Sequence, residues 1–261
     1  MAALGLGAAF YGVGPTLSAG ENVAVDNNNY SVALDGDDYL TVGDDDSLSF
    51  ADGSANSVMS ISFWLKVDSL SANQGLVVKG EEYEIHFTAS YNRLMFRRVD
   101  NDANGHIRRE SGNNSIVAGT WQHCLVTCDD SEAGGGITWY IDGALTQLSS
   151  STASYTASEN DSTDLYIGRG VQTVSGSIGT SYVYLTGGMA NIAFWDAELT
   201  AANAATLSSS GISYDVANSG IATANLQASW KFAEQTGTTV ADSSSNSNTA
   251  SFGGDPTWVT E

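Results

Sequence analysis

The sequence predicts an all-β fold: an antiparallel two-sheet sandwich with one short helix. Three observations carry this reading. Short runs of residues alternate apolar and polar with period two. Gly, Asn, Asp and Ser punctuate these runs, and the chain has 28 glycines but only two prolines. The number and spacing of the runs match a sandwich built of short strands joined by turns.

In chain order, the first runs are YSVAL (30–34) and YLTV (39–42). In VMSISFWLKV, the residues Met59, Ile61, Phe63, Leu65 and Val67 face one way. Ser60, Ser62 and Lys66 face the other, with Trp64 as the exception. LVVK (76–79), YEIHF (83–87), RLMFRRV (93–99) and HIRRE (106–110) follow, then WQHCLVTC (121–128) and ITWYIDG (137–143). LYIG (165–168), MANIAFW (189–195) and LQASWKF (226–232) complete the set. Residues 149–163 and 170–181, rich in Ser, Thr and Gly, are expected to be loops. Thr200 precedes the alanine-rich AANAATL and is placed to cap a helix that the following serines and Gly211 end.

A chain of 261 residues suits one large domain or two small ones. It buries roughly 70–75% of its unfolded surface, enough for a real core. Thirty acidic against nine basic side chains give a formal charge of −21, while charged residues are only 15% of the whole. The acidity therefore comes from a shortage of Lys and Arg. Such a surface repels phosphate backbones and anionic membranes, so neither nucleic acid nor a membrane is expected as a partner. Residues 1–29 open with the apolar, glycine-rich MAALGLGAAFYGVGP, which lacks the basic start of a secretory signal and the length of a membrane span. Two readings stay open: a flexible terminus, or an arm whose Leu4, Leu6, Phe10 and Tyr11 order against a partner surface. Cys124 and Cys128 are four apart on a strand, so their Cα atoms lie ~13 Å apart, beyond disulfide reach. They are expected to be reduced, buried residues of a chain that folds in a cytoplasm.

Several strings, taken in order, resemble a known family. SVALDGDDYLTVGDDDSLSF and ISFWLKVDSLSANQGLVVKG are followed by GTWQHCLVTCDD, ITWYIDGAL, LYIGRG and GGMANIAFWDAELTAANAATL. Together they are similar to the laminin-G-like, concanavalin A-like lectin and glucanase jelly rolls, of the kind found in phage virion proteins. The resemblance covers residues 30–261 and implies a jelly roll of two stacked antiparallel sheets. WKFAEQTGTTVADSSSNSN is a segment that opens such modules but here closes the chain. Residues 226–261 are read as a permuted edge completing the same sandwich; the rival reading is a vestigial second module. The fold hosts lectins, glucanases and adhesion modules alike, so it does not fix the function.

For glucanases on this fold, the resemblance implies an E-x-D-x-x-E strand whose two carboxyl groups act as nucleophile and acid. The only dense glutamates, Glu81, Glu82 and Glu84, have no aspartate between them and are expected at a solvated surface. His86, His106 and His123 stand near no nucleophile motif, and packing is the role expected of His123. No active site is expected.

No cofactor is required by this reading, and calcium is the one candidate. Asp100, Asp102 and Asn104 begin a D-x-D-x-N-G loop, but a serine stands where the closing glutamate belongs, and Asn104-Gly105 is equally a hairpin turn. Asp35, Asp37 and Asp38, and Asp242 with its neighbouring asparagines, offer hard oxygen ligands that Asx turns explain as well.

Arg93, Arg97, Arg98, Arg108 and Arg109 make a basic patch in an acidic chain. They are read either as cross-strand partners of Glu81, Glu82, Glu84 and Glu110 or as a docking face for a sister subunit or an anionic glycan. Tyr91, Tyr155, Tyr182, Tyr184 and Trp258 are candidates for stacking on sugar rings, or else half-buried sandwich edges.

The leading expectation is a non-enzymatic structural protein of a tailed-phage virion, a capsid decoration or fibre subunit. Its partners would be capsid proteins, sister subunits and host cell-surface polysaccharide. A secreted carbohydrate-binding or adhesion module is the alternative, and a glycoside hydrolase a disfavoured third.

Overall fold

The structure, a computed structural model, describes residues 29–50, 58–100, 105–174 and 177–261. Leu4, Leu6, Phe10, Tyr11, Asp102 and Asn104 lie outside the described residues. The first strands are β1 (Tyr30–Asp35), β2 (Tyr39–Val42), β3 (Met59–Val67), β4 (Gln74–Lys79), β5 (Tyr83–Thr88) and β6 (Arg93–Asp100). Next come β7 (Gly105–Glu110), β8 (Gln122–Cys128), β9 (Ile137–Ile141), β10 (Ala144–Leu145), β11 (Ser150–Ala153) and β12 (Leu165–Ile167). Then follow β13 (Arg169–Val174), β14 (Ser177–Tyr184), β15 (Thr186–Trp195) and the helix α1 (Ala201–Ser210). The last strands are β16 (Leu226–Trp230), β17 (Thr239–Val240), β18 (Ala250–Gly253) and β19 (Thr257–Thr260).

Two antiparallel sheets form a jelly-roll sandwich. The first has the order β10-β9-β8-β3-β15-β1-β19, with β16 also paired to β15. The second runs β11-β7-β6-β5-β4-β12-β2-β18-β17. The alternation of β3 directs Met59, Ile61, Phe63, Leu65 and Val67 into the core between the sheets, and none is more than 1% exposed. Opposite them lie Tyr83, Ile85, Phe87, Leu94 and Phe96 of the second sheet. Cys124 and Cys128 are buried, free thiols whose pKa burial pushes up.

The other face of the first sheet departs from expectation. Ser60 and Ser62 are buried rather than solvated, because α1, through Ala204 and Leu207, and residues 211–225 cover that face over Leu125, Trp195 and Leu226. Ser60 Oγ donates to the Ala197 carbonyl at 2.6 Å and accepts from the Leu199 amide at 3.0 Å, fastening the covering segment to β3. The helix starts where its capping signal stands: Thr200 Oγ1 accepts from the Asn203 amide at 3.2 Å. It ends at Gly211, whose φ of 82° suits glycine.

Residues 226–261 contribute to both sheets, since β16 pairs with β15, β18 with β2 and β19 with β1. The expected loops at 149–163 and 170–181 are corrected in part. Residues 150–153 form the edge strand β11 on β7, and β13 pairs with β14 as a separate hairpin. Pairing uses backbone groups, which a Ser/Thr/Gly run supplies as well as an alternating one. Among the described residues no helix is long and apolar enough to cross a membrane.

Candidate functional site: a tyrosine and arginine cleft

The outer face of the second sheet carries one cross-strand row: Thr41, Tyr166, Val78, Glu84, Arg97 and Arg108. The β13–β14 hairpin contacts this face at β4 and β5. A pair of glycines sets its height. A Cβ on Gly75 would stand 2.0 Å from the Gly170 amide nitrogen, so the two backbones meet only because neither residue has a side chain. Gly170 in turn lies against the His86 ring.

This docking brings Arg169 over the sheet. Its guanidinium carbon lies 3.8 Å from the centre of the Tyr166 ring, 4.3 Å from that of Tyr39 and 4.4 Å from that of Tyr182. Tyr184 closes the aromatic group, with ring centres 6.2 Å from Tyr39 and 6.3 Å from Tyr182. Tyr182 is 55% exposed. Beside the cluster opens a cleft of about 450 Å³ lined by Val78, Gly80, Glu81, residues 162–164, Tyr166, Arg169 and Tyr182. That size is within the range of small-molecule sites.

A buried ion cluster holds the opposite wall. Lys79 is fully buried, and its Nζ lies 2.7 Å from Asp44 Oδ1 and 3.0 Å from Glu82 Oε1. Nζ also donates to the carbonyls of Asp161 (2.9 Å) and Thr163 (3.0 Å). Glu82 Oε1 accepts from the Asp161 amide at 2.9 Å and from Ser49 Oγ at 3.0 Å. Burial raises the Glu82 pKa, and these donors with Lys79 partly offset the rise. The bonds to Asp161 and Thr163 pin the cleft's rim to β4 and to the turn that follows it.

Of the three glutamates expected at a solvated surface, Glu81 lines the open cleft, whereas Glu82 and Glu84 are buried. Glu82 is 1% and Glu84 5% exposed, and they serve different neighbours. Glu84 lies on the outer face, 2.6 Å from Arg97 Nε and 3.0 Å from His86 Nε2. Glu82 belongs to the Lys79 cluster, and nothing arranges the two as a catalytic pair.

The arginine patch divides in the same way, because adjacent strand residues point to opposite faces. Arg97 and Arg108 are on the outer face, Arg108 bonding Ser151 Oγ at 3.1 Å. Arg98 is buried and donates to the Phe50 carbonyl, while Arg109 donates to the carbonyls of Leu148 and Ile137. Arg93 pairs with Glu110 at 3.5 Å and lies over the exposed Tyr91 ring. The cross-strand pairing is thus observed for Glu84 and Glu110, and a single five-arginine docking face is not.

Of the five stacking candidates, the structure brings Tyr182 and Tyr184 into the site. Tyr91 stands apart in the β5–β6 turn. Tyr155 packs against the core with its hydroxyl 3.0 Å from Ser158 Oγ, and Trp258 packs on Phe252 with its indole donating to the Gly237 carbonyl. Sequence reasoning missed Tyr39, Tyr166 and Arg169. Two of these carried a signal: Tyr39 and Tyr166 fall on the solvent phase of YLTV and LYIG, where an aromatic residue needs a reason.

Among the calcium candidates, Asp35, Asp37 and Asp38 bring carboxylate oxygens within 4.8 Å of one another. Asp38 is buried and accepts from the Asp255 amide at 2.7 Å, tying the β1–β2 turn to the segment after β18. The Asp37 carboxyl is raised by hydrogen bonding to Asp35 and by the charges of Asp35 and Asp38. Asp100 accepts from the amides of Thr156 (2.6 Å) and Ala157 (3.3 Å), so it braces a neighbouring loop. Asp242 caps its own turn, taking donors from Ser229, Ser244 and Asn248.

A jelly roll of two stacked antiparallel sheets defines the class as concanavalin A-like. Residues 22–205 match the concanavalin A-like lectin/glucanases superfamily, and the chain belongs to it. No curated protein matches the sequence. Among solved structures it is similar to a Bacteroides ovatus protein provisionally assigned to carbohydrate binding, at 15% identity and a TM-score of 0.59. That match covers 89% of this chain and 60% of the other. Domains LG4-5 of the mouse laminin alpha1 chain match at 13% identity and a TM-score of 0.44, over 64% of this chain and 41% of that one. The CBM40 of a Ruminococcus gnavus sialidase, bound to α2,3-sialyllactose, matches at 12% identity and a TM-score of 0.44, over 68% and 95%. The chain thus spans less than two thirds of the length of the first two.

Proposed function

We propose that the protein is a non-catalytic carbohydrate-binding module whose site is the cleft between the β13–β14 hairpin and residues 162–164. One observation carries this reading: the exposed Tyr182, the half-buried Tyr166, an arginine and two carboxylates, Glu81 and Asp164, converge on a single cleft. Aromatic faces receive the apolar faces of sugar rings, and the charged groups bond hydroxyls around them. The separate engagement of Glu82 and Glu84 supports the absence of catalysis. Titration of the protein with a panel of oligosaccharides tests it. Tyr182→Ala and Tyr166→Ala should each weaken binding by about tenfold, equivalent to about 1.4 kcal/mol. Binding unaffected by both substitutions would count against this cleft.

The setting we propose is the surface of a tailed-phage particle, with residues 1–29 as the anchor and the cleft turned towards host polysaccharide. Its support is the apolar composition of that segment, including Leu4, Leu6, Phe10 and Tyr11, together with the free thiols. Deleting residues 2–20 should leave a folded protein that no longer joins particles or oligomers; normal incorporation would refute the anchor. Calcium at Asp35, Asp37 and Asp38 belongs to the same reading.

A further inference from the structure

The cations of this chain are almost all engaged. Lys66, Lys79, Arg93, Arg97 and Lys231 meet carboxylates. Arg98, Arg108 and Arg109 bond carbonyl or hydroxyl oxygens. Among the described residues, Arg169 alone has neither kind of partner. It is held by ring faces only, at 3.8 to 4.4 Å, in a chain where acidic groups outnumber basic ones by thirty to nine.

The rings surround the guanidinium without offering its five N–H donors an oxygen acceptor. Three ring contacts, from Tyr39, Tyr166 and Tyr182, confine the side chain, so part of its ordering entropy is lost before any ligand arrives. A planar fork of this kind matches a carboxylate or a sulfate ester through two parallel hydrogen bonds. It also lines the cleft directly.

Resting on the sugar-binding reading, we propose that the ligand is an acidic sugar whose single anionic group pairs with Arg169. Tyr166 and Tyr182 would receive the ring, and Glu81 and Asp164 would accept from its hydroxyls. The same two carboxylates, and the formal charge of −21, set an upper limit on ligand charge. One negative group is compensated by Arg169, whereas a second in the cleft would face carboxylates, so a densely sulfated polymer is excluded.

The test is calorimetric titration of the full chain with matched neutral and acidic sugars: lactose, 3′-sialyllactose and lactose 3′-sulfate, then galactose and galacturonate. At least one acidic member should bind about tenfold tighter than its neutral counterpart, as a charge-assisted bidentate contact gives. Arg169→Gln should bring the acidic-to-neutral ratio close to one. Arg169→Lys, which keeps the charge without the fork, should restore only part of it. Circular dichroism would check that both variants keep the β-sandwich. Neutral sugars bound as tightly as acidic ones, with Tyr182→Ala still weakening them, would overturn the acidic preference and leave the module reading intact. An acidic preference that persists in Arg169→Gln would also overturn it. No binding by any sugar of the panel would overturn both.

Discussion

His123 shows how one buried side chain couples this fold to pH. Its Nε2 is 2.8 Å from Ser62 Oγ, its ring is edge-on to Trp64, and it is 1% exposed. Burial lowers its pKa to about 4 from the usual 6.5. The unfolded chain therefore takes up a proton near pH 6.5 that the folded chain refuses until about pH 4. The stabilisation is complete above pH 6.5 and is lost as the pH falls through this window, on the order of 3 kcal/mol in all. His106 is shifted the same way, by burial and by Arg97 and Arg108, so two histidines act together. Urea unfolding at pH 7.5 and pH 4 should show the loss. His123→Gln, which keeps a hydrogen-bonding group but does not titrate, should be less stable at pH 7.5 and lose markedly less on acidification. Equal losses in both proteins would refute this account.

At the scale of elements, the hairpin β13–β14 is the part that turns a sandwich into a site. It brings Arg169, Tyr182 and Tyr184 against strand residues far away in sequence, and the Gly75–Gly170 contact sets its position. A Cβ at Gly75 would meet backbone rather than a rotatable side chain, so the strain can be relieved only by moving the hairpin. Gly75→Ala should therefore cost sugar affinity about tenfold or more while leaving the β-rich far-ultraviolet spectrum unchanged. Affinity preserved in this variant would mean that the hairpin's seat does not define the site. The Lys79 cluster does the same work for the opposite wall. Removing one partner of such a buried pair typically costs about 3–5 kcal/mol, because the other charge is left without compensation.

Over the whole molecule, thirty acidic groups and nine basic ones repel one another, and the cluster of Asp35, Asp37 and Asp38 concentrates that repulsion. Raising sodium chloride from about 0.05 to 0.5 M shortens the screening length and should raise the melting temperature by a few degrees. Millimolar calcium should raise it further than magnesium at equal ionic strength, by mass action on the folded state. Asp37→Asn should abolish the calcium increment and leave the sodium effect. Equal increments for the two cations would remove calcium from this corner.

What was legible in the sequence is what the local backbone dictates. Period-two alternation placed Met59, Ile61, Phe63, Leu65 and Val67 in the core, and Thr200 with Gly211 bounded the helix, because pleat and capping depend on near neighbours. Alternation sorts residues between two faces, but it does not say what covers a face. Ser60, Ser62, Glu82 and Glu84 are buried by segments distant in sequence, and that only the tertiary structure decided. The same holds for the cleft. Tyr39, Tyr166, Arg169 and Tyr182 converge because β2 and β12 are neighbours in one sheet and a pair of glycines lets a hairpin lie against it. Pairing of remote strands and the close approach of two backbones are properties of the packed chain, so neither leaves a local pattern to be read.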